Sequence, residues 1–139
     1  MRMEVRAVQG VIGLYELIDE KGQSVLDIDA VKCKLTREVK RQLKSILIQI
    51  SQALVIDGRS GLKDFMEAEV LKQIIKNPKA VKHNLWEVRS SAHGGRIFFI
   101  MDDDGNIIVS AVDKQIKDSS AQEKAINRGV NRWEKYLNN

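Results

Sequence analysis

Arginine and lysine side chains lie within and beside apolar runs in the second half of the sequence. Arg89 and Arg96 stand among valine, isoleucine and phenylalanine residues, and Lys114 and Lys117 follow the next apolar run. A guanidinium or ammonium group among apolar neighbours loses hydration energy unless an anion compensates for the loss. Arginine also forms paired hydrogen bonds with the oxygens of a phosphate. These residue types therefore indicate a site for an anion such as a phosphate.

Three predicted strands must position these cations. Residues 85–91, 96–101 and 106–112 are rich in β-branched and aromatic side chains and contain no proline, which favours strands. The glycine pair at 94–95 and the Asp-Asp-Asp-Gly-Asn sequence at 102–106 are typical of tight turns. The stretch therefore predicts an antiparallel meander.

The strand period places the two arginines close together. Alternate residues of a strand share a face, so Arg89 projects with Glu87, and Arg96 can reach the same face across the hairpin. An internal ion pair between Arg89 and Glu87 is the alternative to an external anion. Both interpretations stay open from the residues alone.

The rest of the chain is predicted from its periodicity and capping residues. Thr36 can cap a helix with one buried stripe, and capping boxes begin at Asp64 and Ser120. The predicted elements outside the meander are strands over residues 8–18 and 24–30 with a turn at 19–23, a helix over 36–56, a helix from Asp64 that Asn77-Pro78 ends, and a last helix from Ser120.

This order predicts one α+β domain over residues 1–139, in which the antiparallel meander packs against helices on one face. The other face is then free to carry the ligand of the arginines. The chain is 43% hydrophobic and 30% charged with a formal net charge of +4, which permits a nucleic-acid partner without requiring one.

Several function classes find little support. A single cysteine, Cys33, excludes an internal disulfide and, with only two histidines, argues against a structural zinc site. The acidic turn before Gly105 resembles a calcium loop, but Ile100 occupies the first ligand position. We predict no metal and no cofactor. No signal peptide or membrane span is recognisable, so a cytoplasmic location without a membrane partner is predicted.

Two further sets of residues have alternative interpretations. Lys40, Arg41 and Lys44 crowd the start of the helix over 36–56, either as a solvated face or as a second surface that holds RNA. His93 lies in the glycine-flanked loop before Arg96, where it could exchange a proton near neutral pH or be an idle turn residue.

The segment from residue 85 onward resembles the RelE/ParE superfamily of toxins, and specifically its HigB-like, phage-derived branch. The resemblance rests on LWEVR at 85–89, GGRIFF at 94–99 and IVSAVDKQ at 108–115, followed by a closing helix. It implies a RelE/ParE-like α+β fold and a toxin encoded with an antitoxin, which we expect to be a helix-turn-helix protein. Many members cleave mRNA on the ribosome, and the relative ParE inhibits DNA gyrase.

The resemblance also implies roles for individual residues. In the nuclease members the ribose 2′-hydroxyl is the nucleophile, so the protein supplies cations and proton carriers. Arg96 and Arg89 match the arginines of the family and Lys114 its first lysine, with Lys117 as a further cation. Proton carriers, in falling order of preference, are Asp113, His93 and Glu87.

The chain departs from the family at positions that matter for catalysis. Ser110 stands where many relatives have histidine, Val112 replaces their phenylalanine, and Gln115 replaces their second lysine. The phosphate clamp is therefore better matched than the acid–base residues. The prediction is a ribosome-associated mRNA endoribonuclease, with a gyrase inhibitor or an inactive antitoxin-binding relative as alternatives.

Overall fold

A six-stranded mixed sheet forms the centre of the fold, with the strands in the order β1-β2-β6-β5-β4-β3. The computed structural model describes residues 2–90, 94–114 and 119–139. Its strands are β1 (Glu4–Ala7), β2 (Leu14–Ile18), β3 (Leu71–Gln73), β4 (Leu85–Ser90), β5 (Gly95–Met101) and β6 (Ile107–Lys114). Neighbouring strands are antiparallel except β2 and β6, which run parallel. The α+β class is confirmed, whereas the sheet is larger than the predicted meander.

Helices separate and cover these strands. They are α1 (Val25–Lys32), α2 (Arg37–Asp57), α3 (Lys63–Glu67), α4 (Pro78–Lys82) and α5 (Ser119–Leu137), with a 3-10 turn at Gly58–Leu62. Thr36 caps α2 as predicted, since its side chain accepts a hydrogen bond from the Val39 amide at 3.2 Å. Among the described residues, no helix is both long and apolar enough to cross a bilayer.

The meander is confirmed as β4, β5 and β6. The Asp102 carboxylate accepts hydrogen bonds from the amides of Asp104 and Asn106, which closes the turn between β5 and β6. Gly105 adopts a φ of +82° there, in the left-handed region that favours glycine. The turn residues identified in the sequence therefore set the register of this hairpin as far as the register shift between Phe98 and Phe99.

Residues 25–30 lie in α1, so the predicted strand over residues 24–30 is wrong. Ser24 caps the helix by accepting a hydrogen bond from the Leu26 amide at 3.2 Å. The buried positions Val25, Leu26, Asp29 and Ala30 follow a helical period rather than the alternation of a strand. The hairpin instead joins β1 to β2.

The helix predicted from Asp64 is also shorter than expected, because it ends at Glu67. Glu69 has a φ of +58°, and the chain then forms β3, in which Leu71 pairs with Val88 of β4. The apolar residues at 71 and 74–75 fit either the period of a helix or that of a strand. Edge pairing buries Leu71 and Ile74 but leaves Ile75 68% exposed. The Asn77-Pro78 pair begins α4 here, with Asn77 as its cap.

Helices lie on both faces of the sheet, so the predicted free face is absent. A side chain added at Gly95 of β5 would lie 2.7 Å from atoms of Val39 and Leu43, which places α2 on that face. On the opposite face, Gly129 of α5 packs against Ser110 and Ala111 of β6. All seven residues of β5 are buried in consequence.

Candidate functional site

A buried carboxylate joins the two predicted arginines near the end of the meander. Glu87 is fully buried, and its Oε1 lies 3.1 Å from Arg89 Nε and 3.4 Å from Arg96 Nη1. Gln122 of α5 donates a hydrogen bond from Nε2 to Glu87 Oε2 at 3.1 Å. We call these four residues the Glu87 cluster. Both oxygens of the carboxylate are therefore bound within the protein.

Strand register builds this cluster. Arg89 is paired directly with Arg96 across β4 and β5, and Glu87 lies two residues before Arg89 on the same face. The prediction that the arginines share a face is confirmed. The internal ion pair, which the residues alone left open, is also present. The Glu87 carboxylate contacts Arg96 as well as Arg89.

The two arginines differ in their access to solvent. The Arg89 side chain is 31% exposed, whereas that of Arg96 is 6% exposed. One carboxylate faces two guanidinium groups, so the Glu87 cluster carries a formal charge of +1. Arg89 is therefore the arginine that an external phosphate can reach, and Arg96 lies behind it.

Asp113 and Lys114, two of the remaining predicted catalytic residues, lie on opposite faces of the end of β6. Asp113 of β6 pairs with Arg96, so Arg89, Arg96 and Asp113 form a row across three strands. Lys114 is exposed and pairs with Gly95, which places it on the α2 face rather than with the arginines. His93, Lys117 and Gln115 lie outside the described residues.

The basic residues of α2 are not a uniform positive surface. Lys40 forms an ion pair with Asp27 of α1, and Arg41 binds Glu38 one turn earlier at 2.7 Å. Lys44, by contrast, lines a cavity beside the β1–β2 hairpin. The three basic residues therefore lie in three different environments. Their joint role in holding RNA stays a prediction.

A second buried cluster was not predicted from the sequence. Asp29 of α1 binds Arg132 Nη2 at 2.8 Å and Arg128 Nε at 3.3 Å, both from α5. Its Oδ2 also accepts a hydrogen bond from the Val112 amide at 2.9 Å, and Arg132 donates to the Ser110 carbonyl at 3.0 Å. We call Asp29, Arg128 and Arg132 the Asp29 cluster.

The Asp29 cluster takes the place of a strand. β2 pairs with β6 only along Ile107, Ile108 and Val109, which leaves the backbone groups that follow without a strand partner on that side. The side chains of the cluster bind those groups instead. The spacing of Arg128 and Arg132, one helical turn apart, was the one signal in the sequence that pointed to a shared anionic partner.

Cys33 lies at the end of α1, near the carboxylates of Asp29 and Asp113. Burial raises the pKa of its thiol, the Asp113 and Asp29 carboxylates raise it further, and backbone hydrogen bonds at Leu35 and at Cys33 itself lower it in part. The raised pKa favours the thiol form, which is the less nucleophilic form of the side chain.

Alkylation of Cys33 by iodoacetamide is expected to be slow at pH 7 and to rise with a midpoint above that of the urea-unfolded chain. The thiolate is the reactive form, and a raised pKa moves its appearance to higher pH. Removal of one nearby charge in Asp113→Asn should lower the midpoint. A midpoint at or below that of the unfolded chain would contradict the assigned environment.

The fold and these clusters define an α+β protein with a mixed sheet and two buried carboxylate–arginine groups. Within residues 2–90, 94–114 and 119–139, no group of three or more histidine, cysteine, aspartate or glutamate side chains is arranged to hold a metal. No protein family, characterised protein or solved structure matches the chain.

Proposed function

We propose that the chain is a RelE/ParE-like toxin of a type II toxin–antitoxin module and a ribosome-associated mRNA endoribonuclease. The observation that carries the proposal is the row of Arg89, Arg96 and Asp113 across the end of the meander, with Arg89 partly exposed. Arg89 and Arg96 match the arginines of the family, and Asp113 is the preferred candidate for the proton carrier. A cation and a carboxylate in one row suit the cleavage of a phosphodiester.

In the proposed reaction the ribose 2′-hydroxyl attacks the adjacent phosphorus atom. The new O–P bond closes a 2′,3′-cyclic phosphate while the bond to the 5′-oxygen of the next nucleotide breaks. Asp113 accepts the proton of the 2′-hydroxyl, and Arg89 binds the phosphate oxygens as their negative charge grows. His93, the second candidate proton carrier, protonates the leaving 5′-oxygen in this scheme.

Arg96 and Glu87 have different parts in this scheme from those that the sequence indicated. The Glu87 carboxylate is already bound by two guanidinium groups and by Gln122, so it positions Arg89 rather than moving a proton. Arg96 is buried in the same cluster, so it does not bind the phosphate directly. Its charge adds to the positive potential around the phosphate.

Inducible expression of the wild-type chain is expected to arrest growth and to produce new mRNA 5′ ends, whereas Arg89→Gln should reduce cleavage about a hundredfold. Arg89 is preferable to Arg96 for this test, because its partial exposure makes the substitution less damaging to the fold. Thermal unfolding of the purified variant verifies that the fold is retained.

Arg59→Gln is the matched control, since Arg59 is an exposed arginine in the 3-10 turn at Gly58–Leu62. It should cleave like the wild type. If the wild-type chain and a folded Arg89→Gln variant give the same mRNA 5′ ends and the same growth, the nuclease proposal fails.

A second candidate is a non-nucleolytic relative, either a ParE-like gyrase inhibitor or a chain that chiefly binds an antitoxin. Ser110 favours it, because this position, a histidine in many relatives, is fully buried and its hydroxyl donates to the Phe98 carbonyl at 3.2 Å. Growth arrest with DNA damage and intact mRNA would support gyrase inhibition. Absence of toxicity, with co-purification of a helix-turn-helix protein, would support the antitoxin-binding relative.

A further inference from the structure

A cavity of about 350 Å³ lies between the β1–β2 hairpin, α1, α2 and β6. Its volume falls within the range of cavities that bind small molecules. Apolar side chains from four elements form much of its lining: Leu14, Leu26, Leu47, Ile48 and Val109. This lining suits the hydrocarbon part of a ligand.

The polar wall of the cavity is held in place by contacts within the protein. Arg6 Nη2 lies 2.7 Å from Glu16 Oε1 and Arg6 Nη1 donates to the Gly22 carbonyl at 3.2 Å. Ser24 Oγ donates to Glu16 Oε2 at 2.7 Å. The charge of Glu16 is therefore already matched, and the wall needs little rearrangement to receive a ligand.

Lys44 adds a cation whose charge is not matched. In the part of the chain that the structure describes, Lys44 forms no ion pair, whereas Lys40, one helical turn earlier, is paired with Asp27. The cavity is therefore lined by one paired arginine, one paired glutamate and the exposed Lys44, which has no carboxylate partner among the described residues. An anion beside this group would gain a charge-assisted hydrogen bond.

We propose that this cavity binds a small amphipathic carboxylate, with its hydrocarbon chain on the apolar lining and its carboxylate beside Lys44. The apolar part of the lining favours a hydrocarbon chain, because polar groups buried against it would lose hydration without a partner. The cavity shares no lining residue with the Glu87 cluster. The proposal is therefore independent of the proposed nuclease function.

Octanoate is the probe for this proposal, measured by titration calorimetry and by the shifts of backbone amide resonances on the full chain. Octanoate should shift the amides of Val8, Gln9 and Leu14. In Lys44→Met the affinity should fall about tenfold, the loss of one charge-assisted hydrogen bond. Octanol should bind the wild type more weakly than octanoate and be insensitive to the substitution.

Lys40→Met is the matched control. It also removes one positive charge, but Lys40 lies one helical turn before Lys44 and does not line the cavity. It should bind octanoate like the wild type. Absence of binding at millimolar octanoate, equal affinity in Lys44→Met, or amide shifts confined to other surfaces would each overturn the proposal.

Discussion

Substitution of Asp29 by asparagine is expected to lower the free energy of unfolding by about 3 kcal/mol, since removal of one partner of a buried ion pair leaves uncompensated charge. The Asp29 side chain is almost completely buried and binds Arg128, Arg132 and the Val112 amide. Asparagine keeps the shape but removes the charge that two guanidinium groups share. Chemical denaturation with urea measures the effect.

Asp27→Asn provides the matched control two residues earlier on the same helix. Asp27 is 55% exposed and pairs with the partly exposed Lys40, so its loss should cost about 0.5 kcal/mol or less. Equal destabilisation by the two substitutions would show that the Asp29 cluster adds nothing beyond a surface ion pair.

Substitution of Glu87 by glutamine is expected to have a similar effect, again about 3 kcal/mol of unfolding free energy. Arg96 is nearly as deeply buried as Glu87 and would lose its carboxylate, while Arg89 would lose the group that orients it. The same variant should cleave RNA poorly if the proposed function holds, because Arg89 would no longer be fixed. Stability and cleavage are therefore measured on the same preparation.

Glu67→Gln is the corresponding surface control. Glu67 lies 4.0 Å from Lys63 on α3, and both side chains are largely exposed, so the substitution should leave stability nearly unchanged. A Glu87→Gln variant as stable as Glu67→Gln would mean that Arg96 does not depend on this carboxylate.

The meander was predictable because its information is local. Asp102 and Gly105 close the turn between β5 and β6, and the apolar strand residues on either side predict the strands in which Arg89 pairs with Arg96. The shared face of the arginines followed from the strand period alone. A nearby acidic partner was also foreseeable, since Glu87 is two residues away.

The sequences of the two central strands already indicate that both faces of the sheet are covered. Residues 96–101 and 107–112 are nearly continuous apolar runs, and such runs are typical of strands buried on both sides. The prediction of one free face gave more weight to the arginines than to this pattern. As a result, Arg96 was expected at a surface that α5 covers.

The Asp29 cluster could not be derived in the same way. Asp29 is separated from Arg128 and Arg132 by 99 and 103 positions along the chain, and its own segment was assigned to a strand. Short amphipathic segments such as residues 24–30 fit two periods equally well, and only tertiary packing decides between them. The second site therefore depends on contacts that no local pattern encodes.

The sealing of the outer side of β6 limits how another polypeptide can join this sheet. Strand addition requires an unpaired row of backbone amides and carbonyls. On β6 that row is occupied first by β2 and then by the Asp29 cluster. The terminal strands, β1 and β3, span four and three residues, so they offer only short templates for an incoming strand. Within the described residues, strand addition by a protein partner is therefore limited to these two short edge strands.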